Sequence, residues 1–469
     1  MSECLGGLRE ECGVFGIYGC DSMPASQAVY LGLFALQHRG QESCGMAVSD
    51  MGVISSYKNM GLVGEVFDSA RLDSLRGQAA IGHVRYSTAG GSTPENSQPF
   101  VFRYAKGRFA IAHNGNLVNS EQIKDELALN GAMFQSTGDS EVIAHIIAQA
   151  RISAPSIEAA VLAASCRIRG SYSLLVMSPR KIVAARDPFG FRPLVIGETN
   201  GAWVFASESC ALDAVGAAFV RDVEPGEIVV ADPNGLRSFR AGTPGRKRLC
   251  IFEYIYFARP DSVIDSVSVQ ESRVKAGALL ARQHPVAADV VIGVPDSGLD
   301  AAIGYSRESG VPFGLGFVRN NYIGRTFIKP EQSKRREGVD IKLSPVPETV
   351  QGKRVVMVDD SIVRGSTSSG IIRQLKAVGA AEVHVRICSP TIRWPCYFGT
   401  DIPTRDELVA NHYTVPEMAA AVGADSLGFL AVESLREIAS TQQKNYCDAC
   451  FTGLYPDAPP GTDAQIEEM

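Results

Sequence analysis

Cys12 stands directly before the apolar run Gly13-Val14-Phe15-Gly16-Ile17, a thiol at the head of a strand-like segment. A lone cysteine there is ordinarily a packing residue. What raises this one is company. Polar clusters recur where later strand-like runs end: Gln37-His38-Arg39-Gly40-Gln41-Glu42-Ser43, His83-Val84-Arg85-Tyr86-Ser87-Thr88, His113-Asn114-Gly115-Asn116 and Thr137-Gly138-Asp139-Ser140-Glu141. Such groups are expensive to bury unless they build a site, and Cys12 is its candidate nucleophile. A second string has different chemistry. Val355-Val356-Met357-Val358 ends in Asp359-Asp360, and Gly365-Ser366-Thr367-Ser368 follows. Amides, hydroxyls and a helix N-terminus form an anion cradle, while adjacent carboxylates at a strand end suit a ribose diol or Mg²⁺. The third set is Cys447-Asp448-Ala449-Cys450 with the distant Cys250 and Cys396. Thiolates drawn from separate parts of a fold enclose either Zn²⁺ or an iron–sulfur cluster, and spacing alone leaves both open.

The elements that must position these residues fall into two textures. Strands are predicted at Gly13–Tyr18, Gly45–Val48, Ala80–Val84, Phe109–Ala112, Leu174–Met177, Ile182–Ala185, Val204–Ala206 and Ile228–Ala231. Helices are predicted at Gln27–Gln37, Ser120–Leu129, Ser140–Gln149 and Ser156–Arg167. Many strands with clustered helices argue for a layered α+β domain. The polar stretch from Asp232 to about Lys247 reads as the connection to a second domain. Beyond it, Val290–Val294, Arg354–Val358 and Glu382–Ile387 are β-branched strands, and the helix Ser368–Val378 makes a βαβ unit of parallel type. The stretch Pro456–Met469 reads as a frayed acidic tail.

The first set, from Cys12 to Asp139, resembles the class II glutamine amidotransferases, whose glutaminase domain has the Ntn-hydrolase fold, an αββα sandwich. That resemblance implies an α+β domain over residues 12–240. It also implies a propeptide, 1–11, whose removal makes Cys12 the first residue. The freed α-amine, of near-neutral pKa, would then serve as general base for its own thiol. The Asn114 side chain and the Gly115 N–H match the family's oxyanion hole. Arg85 would hold the α-carboxylate of glutamine and Asp139 its α-ammonium. Taken singly, Arg85 and Asp139 also read as an ordinary salt bridge.

Asp359–Ser368 resembles the signature with which type I phosphoribosyltransferases bind phosphoribosyl pyrophosphate (PRPP), an α/β domain placed here at 248–456. By resemblance Asp359 and Asp360 engage the ribose hydroxyls and Mg²⁺, with Ser297 as a third metal-associated position. Arg364, Gly365, Ser366, Thr367 and Ser368 would bind PRPP around its 5′-phosphate. Asn320–Ile328, carrying Arg325, looks like the loop that closes over PRPP. The basic run Lys334-Arg335-Arg336 fits either that lid or a solvated face. Asp340 stands where the family often has a basic residue, whereas Lys342 keeps a contact role. The segments around Cys250, Cys396, Cys447 and Cys450 match those of the iron–sulfur amidophosphoribosyltransferases, which implies a [4Fe–4S] cluster of structural or regulatory use. Cys4, Cys20, Cys44, Cys166, Cys210 and Cys388 keep the reading of packing or bystander thiols.

The resemblance implies transfer of glutamine-derived ammonia to PRPP, a purine-nucleotide-inhibited homotetramer and a cytoplasmic location. Two rivals stay open: another class II amidotransferase, or a PRPP-responsive regulator with a silent glutaminase domain. Composition adds exclusions. The 469 residues carry 45 Lys+Arg against 51 Asp+Glu, 45% hydrophobic and 20% charged, as expected for a folded chain. A net charge of −6 gives no reason to expect nucleic acid as partner. No apolar run is long enough for a transmembrane helix, and the N-terminus lacks the pattern of a secretory signal.

Overall fold

The computed structural model describes residues 12–21, 23–86, 91–240, 246–320, 343–402, 404–459, 462 and 465–467. Its first half is built from thirteen strands: β1 (Gly13–Tyr18), β2 (Ser43–Asp50), β3 (Val53–Met60), β4 (Ala79–Arg85), β5 (Phe100–Tyr104), β6 (Gly107–Leu117), β7 (Gly170–Ser178), β8 (Lys181–Arg186), β9 (Val195–Thr199), β10 (Ala202–Ala206), β11 (Ala218–Asp222), β12 (Glu227–Asp232) and β13 (Gly235–Arg240). They form two antiparallel sheets, ordered β11-β9-β10-β1-β4-β2-β3 and β13-β12-β8-β7-β6-β5. The helix Ala25–Ala35 covers the first sheet; the helices Asp139–Ser153 and Ile157–Ser165 cover the second. This is the expected αββα sandwich.

Alternation in β1 shows why the sequence folds this way. Val14 enters the core between the sheets with Ile81, Leu175 and Phe205. Phe15 and Ile17 face the other way, against Val29 and Leu33 of the helix. A strand buried on both faces has no polar side, so it reads as a continuous apolar run. Gly32 lets that helix approach: a Cβ there would stand 2.3 Å from the Phe15 ring.

The sequence reading omitted β3, β5, β9, β11 and β13. Four of these, β3, β5, β11 and β13, lie at sheet edges, where one side of the strand faces water and the apolar signal is diluted. β13 also corrects the expected connection, since Asp232 pairs with Gly235 and the chain returns along β12 as a hairpin to Arg240. Within that polar run Leu236 and Phe239 pack onto different apolar clusters of the sandwich. The sandwich therefore extends to Arg240.

In the second half a four-stranded parallel sheet runs Val290–Gly293, Arg354–Asp359, Glu382–Ile387, Ser426–Phe429 in that spatial order. Val291, Val356 and Val358 face the helices Val269–Gln283 and Gly298–Ser309. Val355, Met357, Val383 and Val385 face the helix Ser366–Ala377. Covered on both faces, it has the continuous β-branched strands expected of a parallel sheet. Residues 454–467 are not frayed where they are described. Gln465–Ile466 pairs with Leu454–Tyr455, Asp457 pairs with Arg169, and Glu467 is held by Arg248 and Lys444. Among the described residues no helix is long and apolar enough to cross a membrane.

Candidate active site

The start of β1, the end of β4, the end of β6 and the start of the helix Asp139–Ser153 meet at one end of the sandwich. There Cys12, Arg85, Gly115 and Asp139 line a single cavity. Cys12 is 8% exposed, and its Sγ donates to the Tyr86 carbonyl at 3.4 Å. Asn114 lies beside Gly115 on β6, fully buried, with its Nδ2 lacking any hydrogen-bond partner among the described atoms. A buried amide left without an acceptor costs about 1–3 kcal/mol, a cost expected where the acceptor arrives only with substrate.

Gly115 must be glycine. Its φ is +147°, and a Cβ would lie 2.2 Å from the Ser171 carbonyl oxygen. Backbone and neighbouring strand thus set its conformation beside Asn114. Arg85 is 3% exposed; its Nη1 donates to the Gly91 carbonyl at 3.2 Å, with a Glu42 oxygen at 4.0 Å. Asp139 accepts from the Leu117 N–H at 3.0 Å. Burial alone would raise its carboxyl, but the His113 ring and that N–H outweigh it and hold the group below the usual carboxylate range. Asp139 is therefore ionised and able to receive an ammonium.

A supporting layer escaped the sequence reading. His113 Nδ1 and Gln98 Nε2 each reach Ser140 Oγ at 3.1 Å, and Gln98 Oε1 accepts from the His113 N–H at 2.8 Å. His83 Nε2 lies 3.0 Å from the His113 carbonyl oxygen, and burial, then the Arg85 charge, push its pKa down to about 3. His83 is a neutral packing imidazole and not a base. Ser140 stands inside the 137–141 motif with no role assigned from sequence, and Gln98 lies in none of the motifs. The motif at 37–43 divides: Glu42 approaches Arg85, while His38 and Arg39 turn away to Glu208.

In the second half Asp359 and Asp360 end the strand Arg354–Asp359 as expected. Ser297 Oγ donates to Asp360 Oδ1 at 2.8 Å, which brings the third predicted position into the group. Burial first, then the Asp360 charge, raise the Asp359 carboxyl well above its ordinary value. Two crowded oxygen ligands fit a divalent cation or a ribose diol, either of which relieves that crowding. Gly365 (φ +81°) caps the helix Ser366–Ala377, whose first turn carries Ser366, Thr367 and Ser368. Arg364, directly before Gly365, is paired with Glu407. Arg325, Lys334-Arg335-Arg336, Asp340 and Lys342 lie outside the described residues, as do Cys4 and the predicted propeptide.

The four predicted cluster cysteines come together. Cys250 pairs in register with Cys447 between two short parallel strands, and Cys450 lies in the helical turn Ala449–Thr452 that follows. Burial raises the Cys450 thiol well above its ordinary value, and the charges of Cys250, Cys396 and Cys447 add to it. Phe398 N–H donates to Cys396 Sγ at 3.3 Å. Cys447 and Cys450 are buried, Cys250 and Cys396 partly so, and four neighbouring thiols are the donor chemistry of a thiolate-ligated metal group. Among the described residues no three His, Cys, Asp or Glu side chains close around a single ion. Of the other thiols, Cys20, Cys44, Cys210 and Cys388 are buried and Cys166 is exposed. Burial pushes Cys44 up to about 12, as a packing thiol requires.

A cysteine at the mouth of an αββα sandwich, joined to a parallel sheet ending in paired aspartates, defines a glutamine amidotransferase coupled to a phosphoribosyltransferase-type domain. A family model described as "Glutamine amidotransferase domain" matches residues 83–214. The chain is 50% identical to amidophosphoribosyltransferase 1, chloroplastic, of Arabidopsis thaliana, covering 96% of this chain and 79% of that one. It is 47% identical to the amidophosphoribosyltransferase of Bacillus subtilis, covering 96% and 95%. The solved structure of B. subtilis glutamine PRPP amidotransferase complexed with ADP and GMP superposes with a TM-score of 0.90 at 45% identity, covering 97% of this chain and 99% of that one. The chain belongs to the amidophosphoribosyltransferase family.

Proposed function

We infer that Cys12 and the Asp359–Ser368 loop are the two reaction centres through which this chain, as an amidophosphoribosyltransferase, performs the first step of purine biosynthesis. Glutamine, PRPP and water become 5-phosphoribosylamine, glutamate and pyrophosphate. Cys12 Sγ attacks the glutamine side-chain amide, and the developing oxyanion is received by Asn114 Nδ2 and the Gly115 N–H. Collapse releases ammonia and leaves a thioester, which water hydrolyses to glutamate. Arg85 and Asp139 hold the two ends of the zwitterion. Removal of Met1–Glu11 would expose the Cys12 α-amine as the base. Ammonia then displaces pyrophosphate at C1 of the ribose without a protein nucleophile, because holding the reactants in line supplies much of the effect.

The unpartnered Asn114 amide, buried next to Gly115 of the Cys12 cavity, carries the glutaminase reading. Ser297, Asp359 and Asp360 would hold Mg²⁺, which would supply positive charge to the pyrophosphate leaving group. A [4Fe–4S] cluster on Cys250, Cys396, Cys447 and Cys450 would tie distant segments together. Purine-nucleotide feedback belongs to the same reading, supported by the ADP and GMP in the B. subtilis complex; a homotetramer and a cytoplasmic location are proposed with it.

The decisive experiment compares wild type with Cys12→Ala on glutamine and on ammonium. Loss of glutamine-dependent turnover with ammonium-dependent turnover kept is expected; equal loss of both would overturn the assignment of Cys12. Intact mass of the purified chain checks the propeptide. Iron and acid-labile sulfide, against zinc, decide the metal.

A further inference from the structure

The strand that carries Asn114 and Gly115 does not end within its own domain's packing. It is braced by a segment of the other half of the chain, Cys396–Thr400. Ser171, opposite Asn116 in the β6–β7 register and wholly buried, accepts the Asn116 N–H at 2.9 Å and donates to the Phe398 carbonyl at 2.7 Å. Asn116 Nδ2 donates to the Tyr397 carbonyl at 2.9 Å. Arg192, also buried, donates to the same Phe398 carbonyl at 2.5 Å. The Phe398 ring stacks on Phe191 with centroids 4.1 Å apart.

Gly399 permits this approach. Its φ of +101° is one that side chains rarely adopt, and a Cβ there would crowd Arg192 Nη2 at 3.1 Å while touching the Gly115 carbonyl carbon at 3.4 Å. Gly115 itself has no slack, being pressed on its other side by the Ser171 carbonyl. The peptide that follows Gly115, joining it to Asn116, is therefore held between a strand neighbour and a segment from the second domain, which restricts how Gly115 can turn its own N–H.

We propose that Ser171 and Asn116 are positioning residues for the glutaminase reaction, setting the Gly115 N–H through their bonds to the Tyr397 and Phe398 carbonyls. This rests on the oxyanion-hole reading of Asn114 and Gly115. It makes the glutaminase site incomplete until the segment bearing Cys396 is seated. An oxyanion donor acts mainly in the transition state, so its misplacement lowers kcat and leaves substrate binding alone.

The test measures steady-state kinetics of the full-length Ser171→Ala, Asn116→Ala and Asn114→Ala variants with glutamine and with ammonium. For Ser171→Ala and Asn116→Ala the expectation is a fall in glutamine-dependent kcat of about 10-fold or more. KM for glutamine and ammonium-dependent synthesis should stay within about 2-fold, the split that a transition-state effect produces. If Ser171→Ala also loses the ammonium reaction, Asn116→Ala decides, since that side chain is only half-buried. Wild-type kcat in both variants, a rise in KM with kcat kept, or loss of the ammonium reaction in both overturns the proposal. If Asn114→Ala also keeps wild-type kcat, the oxyanion-hole reading fails as well; if it alone loses kcat, only the bracing role falls.

Discussion

The residues of the glutaminase site are each held in place by their surroundings. Asp139 keeps its charge because a backbone N–H and the His113 ring outweigh burial. Gly115 keeps a conformation that alanine cannot share. Gly115→Ala is expected to lower glutamine-dependent kcat by about 10²–10³-fold, the range for loss of one oxyanion donor, while ammonium-dependent synthesis survives. Parallel assays with both nitrogen donors check this. At the other centre Asp359 is destabilising by design. Its raised pKa means that the folded state holds the proton more tightly than the unfolded chain does. Stability is therefore lost as pH rises from the unfolded carboxylate value, about 4, towards the folded one. Asp359→Asn should raise stability by about 0.5–2 kcal/mol near neutral pH, with the gain shrinking towards pH 4, while PRPP-dependent turnover collapses. Denaturant melts at two pH values check the sign.

Among the elements, strand ends and helix starts do the positioning. β4 delivers Arg85, β6 delivers Asn114 and Gly115, and one helix begins on Asp139. The parallel strand Arg354–Asp359 places its carboxylates at the C-terminal edge of the sheet, the usual ligand side of such folds. The helix after Gly365 has a twelve-residue span, so its first-turn amides and hydroxyls form a real anion site. Gly365→Ala would force a left-handed conformation on a residue with a Cβ, at a cost of about 1–2 kcal/mol. The expected result is a higher KM for PRPP with KM for glutamine unchanged, read from steady-state kinetics.

Across the whole molecule, a buried charge network joins the halves. Arg39 of the sandwich pairs with Glu208 and with Glu253 of the second half, all three side chains fully buried. Ser262 Oγ and the Arg259 N–H donate to Glu208 at 2.6 and 2.9 Å. Burial would raise Glu208, but Arg39 and then His38 hold it well below the carboxylate range. Its contribution is thus present above the unfolded value, about 4.3, and is lost as pH falls through the folded one. Removing Arg39 leaves Glu208 to His38, Ser262 and the Arg259 N–H and Glu253 to Arg192 at 3.7 Å, so the loss falls at the low end of the range for a broken buried pair, about 3 kcal/mol. Arg39→Ala should lower the melting temperature and split one calorimetric transition into two; a single unshifted transition would show that the halves are coupled elsewhere.

The chemistry-bearing residues were legible because each sits in a local string whose meaning survives without coordinates: Cys12 before a buried strand, Asp359-Asp360 before a Gly/Ser/Thr loop, four cysteines in recognisable contexts. So were most strands buried on both faces, whose apolar runs are continuous. Edge strands such as β3 and β13 were not, because water on one side permits polar residues. Nor could local pattern show that His83 is a neutral core imidazole, or that Arg364 faces Glu407. The division of the 37–43 motif, with Arg39 spent on the domain junction, depends on contacts more than 160 residues away in the chain. Local sequence determines which functional groups exist and on what element they ride. Which of them point at substrate, which support, and which join the two halves is settled by burial and by long-range hydrogen bonding, and those exist only once the chain has closed on itself.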